Sequence, residues 1–160
     1  MATGIIGAIT GIAGAIMGYV SYRRSNSIKA LDLRLELRKA VNEVELGLSK
    51  LKELLDYANQ SRQRVTSATG RSGAMEIWKK EFEEDKKKLK QISDNAPKSD
   101  TNYDELSPIH LESRLVAIHK LQGQITELTE KYNSSIKSDD DERKQLREDV
   151  RIQTAPRHGK

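Results

Sequence analysis

The sequence predicts an all-α protein: one N-terminal transmembrane helix followed by an elongated cytoplasmic helical bundle or coiled coil. Three observations carry this. Residues 2–22 contain no charged side chain. Apolar residues further along recur at steps of three and four, the period of a helix face. Aromatic residues make up 4% of the chain against 32% charged residues, too few for a broad compact core.

The first element is residues 1–22. Twenty-one residues at about 1.5 Å each reach roughly 31 Å, close to the hydrocarbon thickness of a bilayer. Isoleucines supply the apolar surface, and Tyr19 and Tyr22 fall where an aromatic belt at one interface belongs. A secretory signal peptide would begin with a basic stretch, and here only Met1 precedes the apolar run. Arg23, Arg24 and Lys29 follow at once. The positive-inside rule then places a single-pass protein in the plasma (inner) membrane with its N-terminus outside and its C-terminal domain in the cytoplasm.

Five of the ten glycines lie in this segment, at Gly4, Gly7, Gly11, Gly14 and Gly18. Their 3-4-3-4 spacing keeps them on one stripe, where missing side chains allow another helix to approach closely. Membrane helices gain little from burying apolar surface against each other, so such a stripe points to packing, here between copies of the chain. It resembles the glycine zippers of oligomeric channels and pores. That likeness implies a homo-oligomer and leaves a membrane-permeabilising role open beside an oligomeric scaffold.

Residues 23–65 read as a long membrane-proximal helix, with Leu33, Leu37, Val41, Val44, Leu48, Leu51, Leu55 and Ala58 on one face. This stripe can pack on later helices of the same chain or on a neighbouring copy. Residues 66–95 are a turn and a second helix, carrying Met75, Trp78, Phe82, Leu89 and Ile92 on one side. Trp78 beside Phe82 is expected in the core. Residues 96–107, with Pro97 and a run of Ser, Asp and Asn residues, are a linker. Ser107 and Pro108 then form a helix start. Residues 108–151 are read as a C-terminal helical hairpin, one helix to about Ser135 burying Leu111, Leu115, Ile118, Ile125, Leu128 and Tyr132, and a polar one after Asp139. Residues 152–160 are expected to be a disordered tail.

Charge is unevenly placed. Residues 23–94 carry 17 Lys/Arg against 12 Asp/Glu, an excess of five, whereas residues 95–160 carry 11 against 12. The basic half adjoins the membrane segment, where each cation near anionic headgroups contributes about 1 kcal/mol. Membrane lipid is therefore the expected contact, with a cytoplasmic protein partner open. Nucleic acid is not favoured, because acids are interleaved at helical spacing, as in Glu83, Glu84, Lys87 and Lys88.

The chain has no cysteine, which removes disulfides, thiolate zinc sites and cysteine nucleophiles. No phosphate loop, dinucleotide fingerprint, paired-His zinc helix or serine elbow occurs, and no cofactor is implied. One motif with catalytic spacing remains, Arg114 and His119, separated by Leu-Val-Ala-Ile. It resembles the Arg-x4-His of the HEPN ribonucleases, in which two subunits join such pairs around a phosphate. That resemblance implies phosphate stabilisation by Arg114 and acid–base work by His119. With 12 arginines and three histidines, the spacing also arises by chance, and the two are then exposed residues beside an apolar stripe. The layout as a whole is similar to the small membrane-pore accessory proteins of type VI-B CRISPR systems, which implies antiviral defence and ranks pore formation above RNA cleavage.

Overall fold

Three helices make up the described chain: α1 (Ala2–Thr69), α2 (Ser72–Asn95) and α3 (Pro108–Thr154). This computed structural model describes the backbone of residues 2–154 and the side chains of residues 17–154. There are no strands among the described residues.

The apolar stripe of α1 is satisfied within the chain. Leu37, Val41, Val44, Leu51, Leu55 and Ala58 are buried, with Leu33 and Leu48 half-buried, and they meet Leu111, Leu115, Ile118, Ile125, Leu128 and Tyr132 of α3 in one core. Contacts fix the direction. Lys29 reaches Glu112, Gln122 reaches Glu43, and Arg62 reaches Ser135, so residue numbers rise together and α1 and α3 run parallel. Helix α2 runs against both: Met75 meets Thr66 and Trp78 meets Asn59 on α1, while Trp78 meets Tyr132 and Ile92 lies beside Gln124 and Leu128 on α3.

Two glycines serve distinct needs. Gly70 sits in the turn between α1 and α2 at φ 68°, a left-handed conformation that a Cβ disfavours by roughly 1–2 kcal/mol. Gly47 lies where α1 meets α3, and a Cβ there would stand 3.2 Å from Cγ2 of Ile125.

Several boundaries differ from the sequence reading. α1 continues past residue 65 to Thr69 because Val65 and Thr66 are themselves buried and Thr66 closes its hydroxyl on the carbonyl of Arg62. The expected C-terminal hairpin of residues 108–151 is instead one unbroken helix. No glycine or proline interrupts residues 133–141, Ile136 packs on the core, and Asp139 is buried beside Arg62. α3 also runs through Thr154, into the expected tail, and residues 155–160 lie outside the described ones. Pro108 does open α3, but the Ser107 hydroxyl lies 2.7 Å from Nδ1 of His110 rather than capping a backbone N–H.

Among the described residues no helix is long and apolar enough to cross a membrane. The side chains of residues 2–16, most of the segment read as a transmembrane helix, lie outside the described ones.

A stability series separates the roles of the glycines. Gly47→Leu should lower unfolding free energy by about 1–3 kcal/mol through overpacking against Ile125, and Gly70→Ala by about 1 kcal/mol through backbone strain. Gly18→Leu, with nothing within 4 Å of its Cβ position, should leave the urea midpoint unchanged.

Candidate functional site

The N-terminal end of the described structure is a single bare helix. Residues 17–29 of α1 are exposed throughout, and the first residue of α1 buried in the core is Ala30. Met17, Tyr19, Val20 and Tyr22 project four large apolar side chains from this stretch, with Tyr19 62% and Tyr22 65% exposed. Basic residues follow directly. Arg23 lies over the Tyr19 ring at 5.9 Å from its centroid, Arg24 is exposed, and Lys29 pairs with Glu112 at 2.9 Å. Of the five stripe glycines only Gly18 has a described environment, and it is open space. Gly4, Gly7, Gly11 and Gly14 lie outside the residues with described side chains.

Arg114 and His119 are not brought together. Five residues turn a helix by about 140°. Arg114 lines a cavity of about 340 Å³ between α3 and the 96–107 linker, while His119 is exposed and lies outside that lining. Among the described residues neither forms an ion pair, and no three His, Asp or Glu side chains gather as metal ligands would.

The linker is more ordered than its composition suggests. Arg34 donates from Nε to the carbonyl of Tyr103 at 3.2 Å and from Nη2 to that of Asp104 at 2.5 Å. Arg38 adds a longer contact, 3.5 Å, to the Asp104 carboxylate. Held by these two cations, the loop drives Tyr103 into the core to 4% exposure.

Two buried carboxylates escaped the pattern reading, since an Asp on a charged helix reads as surface. Asp85 is 1% exposed and accepts hydrogen bonds from Lys131 at 2.5 Å, Tyr132 at 3.1 Å and Lys88 at 3.2 Å. Burial opposes its ionisation, but these three donors outweigh it and hold its carboxyl below the usual range. The Tyr132 hydroxyl is pushed well above its ordinary value by burial and by the adjacent Asp85 charge. Around it, Trp78 and Phe82 stack at 6.2 Å and each meets Tyr132 edge-on, so the chain's one Trp and one Phe form the expected core anchor.

Asp139 is wholly buried. Arg62 Nη2 comes within 3.0 Å of its Oδ1, yet neither carboxylate oxygen receives a well-aligned hydrogen bond among the described residues. Burial therefore pushes this carboxyl up, with Ser61, Arg62 and Arg143 offsetting only part. The same Arg62 lies over the Trp78 ring, 5.0 Å from its centroid, and bonds Ser135 at 2.8 Å. One guanidinium thus joins all three helices.

The two carboxylates have opposite pH signatures. Asp85, depressed on folding, stabilises above its unfolded value of about 3.8 and loses that contribution as pH falls through its lower folded value. Asp139, raised on folding, stabilises below about 3.8 and loses that contribution as pH rises through its higher folded value. Asp85→Asn should therefore cost about 1–3 kcal/mol at pH 7, with the deficit shrinking in acid. Asp139→Asn should be neutral or stabilising at pH 7, with any gain disappearing near pH 4. Urea unfolding of both variants across pH 3–7 checks the pair of signs. No protein-family model, curated protein or solved structure matches the chain.

Proposed function

We propose that the protein is a single-pass membrane anchor that self-associates through its glycine stripe and presents the helical bundle as an oligomeric scaffold on the cytoplasmic face of the plasma (inner) membrane. One observation carries the reading: the bare stretch of α1. Residues 17–22 project Met17, Tyr19, Val20 and Tyr22 with no cover from α2 or α3. Exposed apolar side chains gathered at one end of a charged protein call for another apolar phase. Tyrosines followed at once by Arg23 and Arg24 have the chemistry of a bilayer interface, with the ring at headgroup level and the cation against phosphate. The uncharged run before them is the right length to continue into hydrocarbon.

Self-association adds the reason for the glycines. In lipid, helices attract by close backbone approach, and the 3-4-3-4 stripe offers that on one side of the segment only. The bundle's own stripe on α1 is consumed by α3, so of the two pairings open to it, with later helices or with a neighbouring copy, the one within the chain occupies Leu37 to Ala58.

Membrane fractionation followed by mass measurement in mild detergent tests the proposal. Wild-type protein should pellet with membranes, resist carbonate extraction and elute as an oligomer. Gly11→Leu with Gly14→Leu should stay in the membrane but shift toward monomer. A soluble wild-type protein, or an unchanged mass in the double variant, would overturn the anchor or the stripe respectively.

A further inference from the structure

The linker encloses space that the core does not fill. Where it passes along α3, a cavity of about 340 Å³ remains, within the size range of small-molecule sites. Leu106, Ala117, Ile118 and Leu121 give it an apolar wall. Two of its lining residues carry polar groups that folding leaves unused. The Tyr103 hydroxyl has no hydrogen-bond partner among the described residues but is itself buried in the core, so it is the edge of the ring that borders the cavity. Arg114, by contrast with Arg34 and Arg38, which are engaged in holding the loop, makes no ion pair among the described residues.

We infer that this cavity binds a small organic monocarboxylate with an apolar body. The carboxylate pairs with the Arg114 guanidinium, whose fork matches it in two parallel hydrogen bonds. The body lies against Leu106, Ile118 and Leu121. A dianion such as a phosphate monoester fits less well. The linker itself carries Asp100, Asp104 and Glu105, and a single arginine cannot offset two negative charges in that setting. A purely apolar ligand would leave the Arg114 guanidinium unanswered. The site lies within the bundle and does not depend on the membrane reading.

Methyl-labelled full-length protein, in nanodiscs where it partitions into lipid and in buffer where it does not, should be titrated with octanoate and followed by NMR. Saturable shifts are expected at the Leu106, Ile118 and Leu121 methyls, with octanol at least tenfold weaker and octylamine showing no saturation. Arg114→Gln, a change at an exposed position, should weaken octanoate at least tenfold without altering the urea midpoint. Ala117→Trp should fill the cavity and abolish the shifts. The inference is overturned if octanoate produces no saturable shift at millimolar concentration, if Arg114→Gln binds as wild type, or if exposed Ile109 and Val116 shift equally, which marks surface adsorption.

Discussion

The parallel seam between α1 and α3 is the constraint from which the rest of the structure follows. Two parallel helices cannot be joined by a tight turn, so the chain must travel back along the whole seam before α3 begins. From Ala30 to Val65 that seam is about 53 Å long, whereas the 24 residues of α2 return only about 36 Å. The 96–107 linker covers the remainder as irregular chain, and irregular chain carries backbone carbonyls that no helix satisfies. Arg34 and Arg38 answer that need from α1, taking up the carbonyls of Tyr103 and Asp104 and the Asp104 carboxylate. The incomplete fit of a loop where a third helix would have been is also what leaves the cavity beside Arg114.

At the opposite end of the seam, α2 is present and the packing problem is different. Here the helices are brought into register by buried charge. Asp85 joins α2 to Lys131 and Tyr132 of α3, and Arg62 of α1 reaches Trp78 on α2 and Asp139 on α3. Their satisfaction is unequal. Asp85 receives three donors and ionises readily, whereas Asp139 is buried with imperfect partners and resists its charge. A fully satisfied buried carboxylate specifies one alignment of its neighbours, and an under-satisfied one costs stability. The aromatic group of Trp78, Phe82 and Tyr132 covers the first of these and gathers three of the chain's seven aromatic rings into one layer.

Apolar periodicity made the helical class and nearly all core residues legible: the α1 stripe from Leu33 to Ala58 and the α3 set from Leu111 to Tyr132 face each other as their spacing implies. What period could not carry was pairing, because the same stripe on α1 serves a sister copy or α3 equally well. Nor did it reveal the continuity of α3 through Asp139, since that aspartate reads as a helix start and becomes interior only when Arg62 arrives from another helix. Tyr103 was hidden for a related reason. It is a lone aromatic in a loop of Asn, Asp and Thr, and its burial follows from two arginines some 70 positions earlier in the chain. Of the site residues, Arg114 was visible only as half of a spacing whose other half, His119, faces elsewhere. Its cavity is a tertiary product of linker length.

Helix continuity supplies the last step. Between Gly18 and Gly47 α1 contains neither glycine nor proline, so the stretch that leaves the bundle lacks the residues at which helices most often kink. Side chains on one helix keep fixed relative angles, about 100° per residue, and the bundle is clamped to α1 from Ala30 onward. Any surface that packs on the N-terminal part of α1 therefore fixes the rotation of α2 and α3 about the α1 axis as well. For a protein whose copies meet along a stripe on that helix, the orientation of each bundle toward its neighbours is set inside the stripe rather than by contacts between the bundles. The cavity beside Arg114, on α3 in the bundle clamped to that rod, would then face the same way in every copy. On the proposed membrane reading, the tyrosines at the base of the rod and the arginines just above them would set its depth as the stripe would set its rotation.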